Sequence, residues 1–592
     1  MTSRSILSKL FPQPNSLELL SGKHLHQEWN WICSDLNLQK FFSVMGMLLK
    51  LYPGMERLHR YSSTSSGRLS FVKDRSIEDQ GYHLFIGQHE IEIKASSSIG
   101  FYYALHCFGQ LLNLTSNNLP CLRLNSHPKL KQRGYMLDVS RCKIPKLDQI
   151  KLLIDQLSQL HYNHLELYIE HTFAFQNHGQ VWGDASPITH DEILELDKYC
   201  KERFIDLVPN LNSFGHFERW LKHQDYQHLA ECPNGFTSPF GDFRPVGSVL
   251  KPNLNSLKFV DELYKEYLPL FKNELFNVGC DETFELGQGF SKKKVSKEGL
   301  HEVYLAHLLK IQKLVKKHKR KMMFWADILI EDKNSIKNLP KDIIPLIWGY
   351  EAEHPFEEQC EILQETKTKY WVCPGSGAWN SLIGRWDNAK RNIESAFING
   401  FKYQANGLLL TDWGDGGHHQ TWPISWPSIV FAAELSWSGI SLNDVSLSKF
   451  IDDFFCRETG TILGNKLIKL GKIHQKLKSP IMNSNIYHHY LFLPPEKYKV
   501  KNKKLLENNL DELREIKKSV TGSKNLAFRE LELSINLAIQ GLEKQLYLNF
   551  KVCFNKAERS QVIGDYESIW LERNRIGGLY ESSSKLRDAL TY

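Results

Sequence analysis

Arg133-Gly-Tyr-Met-Leu-Asp-Val-Ser-Arg141 is a short apolar run that closes on polar residues, and an amphipathic stretch at 146–161 follows it. The pairing then recurs along the chain. After a strand at 135–139, residues 164–169, 206–210, 275–280, 322–326, 343–348, 369–373 and 407–410 read as strands. Residues 191–203, 257–271 and 299–317 read as helices between them. Alternating short apolar strands and helices predict parallel βα units. Eight units in one run predict an α/β fold built on a closed (β/α)8 TIM barrel rather than an open doubly wound sheet. No glycine-rich turn follows the first strand, so a dinucleotide site has no support.

Outward from the barrel, assigned to 129–440, two further regions are expected. Residues 1–128 read as a small N-terminal α/β domain, with strands at 69–73, 82–87 and 90–95 and a helix at 98–112. A turn-rich break at 115–120 and Ser126-His-Pro128 would link it to the barrel. Residues 441–592 read as a helical C-terminal region, with periodic helices at 505–520 and 525–550 and a proline-containing break at 493–499.

Composition narrows the classes of function. At 592 residues several domains are expected, and 42% hydrophobic with 24% charged residues is ordinary for a globular chain. The formal charge of +7 is spread thinly, and lysine clusters such as 292–294 read as solvated helix faces, so no nucleic-acid partner is expected. Eleven cysteines are scattered without CxxC pairs or zinc-type spacing. No apolar run is long enough for a membrane span or a signal h-region. The expectations are a cytoplasmic protein with no membrane partner, no metal and no cofactor.

Active sites of such barrels lie at the C-terminal ends of the strands. Those ends read Asp138-Val-Ser-Arg141, Glu170-His171, Asn212 to Glu218 with His216 inside it, Asp281-Glu282, Trp325-Ala-Asp327, Trp348-Gly-Tyr350, Trp379-Asn380 and Asp412-Trp-Gly-Asp415. One tryptophan is usually core and one Asp after a strand often caps a helix. Carboxylates, histidines and tryptophans recurring at one rim fit a sugar pocket, where rings stack on pyranose faces and polar groups take the hydroxyls. Asp281-Glu282 bears on mechanism. Ordinary glycosidases set two carboxyl groups on either side of the scissile bond. Adjacent acids on one strand end suit a division of labour instead, one reaching the glycosidic oxygen and the other a group beside the anomeric carbon. By spacing alone the pair would equally suit a metal site or a cap.

The runs Arg133 to Arg141 and Val278-Gly-Cys-Asp-Glu-Thr-Phe-Glu-Leu-Gly287 resemble the signatures of glycoside hydrolase family 20 β-N-acetylhexosaminidases. Tyr168-Ile-Glu-His-Thr-Phe-Ala-Phe175, Cys373-Pro-Gly375, Trp379-Asn-Ser381 and Thr411-Asp-Trp-Gly-Asp-Gly-Gly-His418 are similar to a cytosolic-type branch of it, as is Trp570-Leu-Glu-Arg-Asn-Arg-Ile-Gly-Gly-Leu579 near the end. The resemblance implies an exo-acting retaining enzyme that releases terminal β-linked N-acetylhexosamine through an oxazolinium ion made by the substrate's own acetamide. It implies Glu282 as general acid and base, Asp281 orienting the acetamide, Arg133 binding outward hydroxyls and His216 supporting the pair. Trp325, Trp348 and either Trp379 or Trp413 would wall the acetamide methyl. Glu170, Asp412 and Asp415 are candidate sugar ligands, and Glu434 is either a ligand or a helix residue. A tyrosine expected late in the barrel is not placed. The alternative is a catalytically silent glycan-binding protein, which would not need both acids. Whether the C-terminal helices pair two copies as a homodimer or only buttress the barrel stays open.

Overall fold

Alternating burial builds the first sheet. In the computed structural model, which describes residues 3–26, 29–33, 48, 51, 52, 55, 67–115, 118–141, 143–456, 462–493, 500 and 502–591, six strands precede the barrel. They are β1 (Ser16–Lys23), β2 (Asn30–Cys33), β3 (Arg68–Lys73), β4 (Tyr82–Ile86), β5 (Glu90–Ala95) and β6 (Pro120–Ser126), in the order β1-β6-β4-β5-β3-β2. Helix α1 (Ser98–Leu114) buries its apolar side chains against them. β3, β4 and β5 lie where the alternation places them. β6 fills the stretch between the expected break at 115–120 and the expected linker at 126–128 and shares one residue with each; its opening proline is a turn signal that a strand tolerates only at its first residue.

The eight expected barrel strands are all present. β7 (Gln132–Asp138), β8 (His164–Tyr168) and β9 (Asp206–Val208) are followed by a short hairpin, β10 (Phe236–Thr237) and β11 (Phe243–Arg244). Then come β12 (Leu275–Asn277), β13 (Lys321–Trp325), β14 (Ile344–Trp348), β15 (Trp371–Cys373) and β16 (Gly407–Asp412). Every ladder between neighbouring barrel strands is parallel, and β16 pairs with β7. The seam between β9 and β12 is closed by a parallel bridge of Asn210 with Asn277, where Leu211 N–H donates to the Asn277 carbonyl at 3.0 Å. Inside the barrel Glu166 accepts from Asn210 and Asn277 and contacts His164, which satisfies a buried carboxylate without water.

Helices α2 (Leu147–Gln159), α3 (His190–Lys201), α4 (Leu254–Tyr267), α5 (Leu300–Lys317), α6 (Phe356–Glu365), α7 (Trp386–Lys402) and α8 (Trp426–Ser438) surround the barrel. Each turns its apolar stripe to the strands, as α2 does with Ile150, Leu153, Ile154 and Leu157. The C-terminal helices are α9 (Asp444–Phe455), α10 (Gly464–Ile473), α11 (Ile486–Phe492), α12 (Lys503–Lys518), α13 (Leu526–Phe550), α14 (Lys556–Arg573) and α15 (Leu579–Leu590). The break at 493–499 lies outside the described residues apart from Leu493.

These helices grip the first βα turn of the barrel. Arg573 donates to both oxygens of Glu530, at 2.7 and 2.6 Å, and to Gln149 on α2. Asn574 bridges to Pro145, and Arg575 N–H donates to the Ile144 carbonyl. No described helix is long and apolar enough to cross a membrane.

Candidate active site

The turn after β12 is forced into shape by its neighbours. Gly279 has φ +66, and a Cβ there would lie 1.8 Å from Asn212 Oδ1, so only glycine fits. Cys280 and Glu282 also take left-handed backbone, at φ 72 and 49. Their carbonyl and amide are pinned from the barrel wall: Tyr304 Oη donates to the Cys280 carbonyl at 2.7 Å, and Glu282 N–H donates to Asp327 Oδ2 at 3.0 Å. Gly215 backs onto the Asp281 carbonyl, where a Cβ would come within 2.5 Å. The result is two adjacent carboxyl groups held beside the His216 ring.

Asp281 is buried, and its Oδ2 lies 3.3 Å from His216 Nε2 while Oδ1 has no hydrogen-bond partner. Glu282 is more open, with Oε2 3.7 Å from the same nitrogen. Burial raises the proton affinity of Glu282, His216 opposes that, and the charges of Asp281 and Asp415 add to it. His216 Nδ1 faces Glu170 at 3.6 Å. Burial alone would lower the His216 pKa, but Asp281 and then Glu170 outweigh it and raise it to about 10, so the ring is a cation at neutral pH.

Arg141, at the end of the first barrel strand, organises the opposite side. Its guanidinium reaches Asp138 at 3.1 Å, Glu170 at 3.3 Å and Asp415 at 3.8 Å, and lies over the rings of Tyr168 and Trp413. Asp138 also accepts from the Gly414 N–H, which ties the first strand's rim to the last. The aromatics form one wall. Trp325, Trp379 and Trp413 share a buried cluster, Trp348 stacks on Tyr350 at 5.2 Å, and Tyr350 meets Trp379 edge-on at 5.0 Å. Trp413 Nε1 donates to Tyr350 Oη at 2.7 Å. Beside Glu282 the rim opens into a cavity of about 730 Å³. A site with one buried acid, one more open acid of raised pKa, a cation and aromatic walls can hold a sugar and protonate a leaving oxygen.

Two family models match the chain in tandem: glycosyl hydrolase family 20, domain 2, over residues 7–140, and glycosyl hydrolase family 20, catalytic domain, over 131–370. The chain belongs to glycosyl hydrolase family 20. It is 24% identical over 373 residues to the lacto-N-biosidase of Bifidobacterium bifidum, a match spanning 60% of this chain and 32% of that one. It is 23% identical over 408 residues to β-hexosaminidase subunit A1 of Dictyostelium discoideum, 62% of this chain and 71% of that. A chitobiase structure from Flavobacterium johnsoniae aligns over 99% of this chain and 100% of its own, at TM-score 0.62 and 19% identity. An N-acetyl-β-hexosaminidase structure from Streptomyces plicatus aligns over 77% and 96%, at TM-score 0.58 and 18% identity. These structures share the fold.

In this family 20 chain the rim unites Asp281, Glu282, Glu170, His216, Trp325, Trp348, Trp379, Trp413 and Asp415, but not every residue expected there. Arg133 is a correction. It stands at the start of β7, roughly 16 Å of strand away from Asp138, and is 1% exposed. Its guanidinium donates to Gln80, Tyr103 and the carbonyls of Leu130, Lys131 and His161, so it joins the N-terminal domain to the base of the barrel. Parallel strands present only their C-terminal ends to the rim, and Arg141 is the arginine there. Asp412 accepts from Tyr135 Oη and Ser376 Oγ, at 2.7 and 2.6 Å, which holds it in the wall rather than toward the acids. Glu434 accepts from the Gln13 N–H and Ser438 Oγ, a helix residue locking the N-terminal segment, and burial pushes its pKa up to about 7. Tyr350, Asp327 and Tyr168 are rim residues to which the sequence reading gave no role. All three sit at strand ends already singled out, so position alone could have nominated them.

Proposed function

We propose that this chain is an exo-acting, retaining β-N-acetylhexosaminidase working by substrate-assisted catalysis. The observation that carries it is the asymmetry of Asp281 and Glu282. Asp281 is buried, fixed on one oxygen by the His216 cation, and keeps the other oxygen without a partner, as an acceptor for an acetamide N–H needs. Glu282 is the more open acid with raised proton affinity, as a proton donor needs. Among the described residues, the rim carboxyls Asp138, Glu170 and Asp415 pair with Arg141 and Asp327 is tied to the Glu282 N–H, so none of the four is presented as the nucleophile. The acetamide oxygen fills that role.

The steps follow from these positions. Arg141, Glu170 and Asp415 hold the outer hydroxyls of the terminal sugar, and Trp348, Tyr350 and Trp413 enclose the acetamide. Asp281 turns the acetamide oxygen toward C1 and stabilises the positive charge that spreads to its nitrogen. Glu282 protonates the departing oxygen, then takes a proton from the water that opens the oxazolinium ion. Two inversions at C1 retain configuration. The same proposal places the protein in the cytoplasm, supported by Cys107, Cys200, Cys280, Cys360 and Cys373 packing as buried thiols.

The test is hydrolysis of an aryl β-N-acetylglucosaminide against the matching β-glucoside at neutral pH, with and without chelator. Cleavage of the N-acetylated compound alone, indifferent to chelator, is expected. Equal cleavage of both requires a protein nucleophile and ends the acetamide scheme. Cleavage of neither returns weight to a glycan-binding protein.

A further inference from the structure

The cavity beside Glu282 is not closed by the barrel alone. One wall is the excursion between β9 and β12, whose hairpin carries Phe240, 76% exposed. A second is the rim of β14, with Trp348 and Tyr350. The third comes from the C-terminal region: residues 482–493, ahead of and along α11, contribute Met482, Asn483, His488 and Leu493. Nothing about catalysis at the terminal sugar requires this last wall.

The segment is held firmly in place. Asn483 N–H donates to Glu351 Oε1 at 2.6 Å, Arg385 Nη1 donates to the same oxygen, and Ser484 Oγ and Asn485 N–H donate to the Asn380 carbonyl. From behind, Lys544 and Gln545 on α13 donate to the carbonyls of Leu491 and Tyr490. Among the residues that line the cavity, five side-chain atoms are shielded from solvent and have no hydrogen-bond partner: Asp327 Oδ1, Trp348 Nε1, Asn380 Oδ1, Asn483 Oδ1 and His488 Nδ1. The amide oxygens are acceptors. Burial and the neighbouring His419 and His489 keep the His488 ring neutral, with one donor and one acceptor nitrogen. Buried acceptors without donors cost about 1–3 kcal/mol each. A cavity walled by Phe240, Trp348, Tyr350 and Met482, with Asn380, Asn483 and His488 among its lining, suits a ligand that carries hydroxyl groups on an otherwise flat, partly apolar body.

We infer that residues 482–493 form the leaving-group side of the site, holding against Phe240 and Trp348 the sugar unit to which the terminal residue is joined. The preferred substrate is then an oligosaccharide whose second unit is bound, and the C-terminal helical region takes part in choosing it. This inference rests on the hexosaminidase reading above.

The experiment compares kcat/KM on N,N′-diacetylchitobiose and on an aryl N-acetylglucosaminide, for the full chain and for Asn483→Gly, Met482→Ala and Phe240→Ala. Asn483 has φ 54, so glycine keeps its backbone and removes only the amide. Met482 and Phe240 are exposed, so their truncation spares the core. One lost hydrogen bond, or one lost apolar side chain against the bound unit, corresponds to about a tenfold effect. Each variant is expected to lower kcat/KM on the disaccharide about tenfold more than on the aryl glycoside, chiefly through KM. Equal losses on both substrates, or no loss on the disaccharide, overturn the inference. If the wild type cleaves neither compound, it is the activity reading that fails. The wall is then judged by disaccharide binding, followed by tryptophan fluorescence, which Asn483→Gly must weaken.

Discussion

His216 faces Asp281, Glu282 and Glu170, with Arg141 behind Glu170, and Asp281, Glu170 and Arg141 set its proton affinity against burial. Folding raises its pKa from 6.5 to about 10, so the stability it contributes is fully present below pH 6.5 and is lost as pH rises through about 10. His216→Gln should therefore show a flatter melting temperature between pH 6.5 and 10 than the wild type. Its cation also lowers the proton affinity of Glu282. The same variant should move the alkaline limb of kcat/KM to higher pH, and a limb that stays put contradicts the coupling. At Glu282 itself, Glu282→Gln should cost about 10²–10⁴-fold in kcat on substrates with poor leaving groups, and far less on activated aryl glycosides. Equal losses on the two would remove the acid role. The acids and the tryptophans were legible because strand ends in a barrel share one rim. Which arginine meets them is decided by strand direction, which the motif does not show: Arg133 and Arg141 flank the same strand, and only the C-terminal one reaches the rim.

Arg133 makes its contacts through β7, α1 and the segment before the barrel, and this is a matter of elements rather than of substrate. Arg133→Met would leave Gln80, Tyr103 and three carbonyls without their donor. About 3 kcal/mol or more of stability should be lost, with KM at permissive temperature unchanged. Arg141→Met should do the reverse, raising KM at least about tenfold, as expected for loss of a charged hydrogen bond to substrate. Denaturant titration and steady-state kinetics on the two variants separate the roles. The barrel strands were readable because buried parallel strands are short apolar runs bounded by turns, as Ile344-Pro-Leu-Ile-Trp348 is. β1 was not, since its side chains are half-buried or exposed along an edge and carry little apolar signal.

Across the whole molecule, the ion pair of Arg573 with Glu530 joins the C-terminal helices to each other and, through Gln149, to the barrel. Both side chains are almost fully buried. Glu530→Ala should cost about 3–5 kcal/mol because it strands a buried guanidinium. The double variant Glu530→Met, Arg573→Met should cost less than that single change, as measured by chemical denaturation. None of this was visible in the sequence, where periodicity shows that α13 and α14 are helices but not what they lean on. The same holds for the wall at 482–493, whose neighbours Glu351 and Asn380 lie more than a hundred residues earlier.

The hold of Arg575 on the Pro145 carbonyl spans 430 positions of sequence. At about 5–20 residues per second of synthesis, the first barrel turn leaves the ribosome roughly 20–90 s before the residue that clamps it. From the synthesis of Glu282 to the end of that interval the chain has its acids but not its final support. Conditions that slow elongation late in the message should therefore expose this protein to chaperones and proteases more than the same delay placed early.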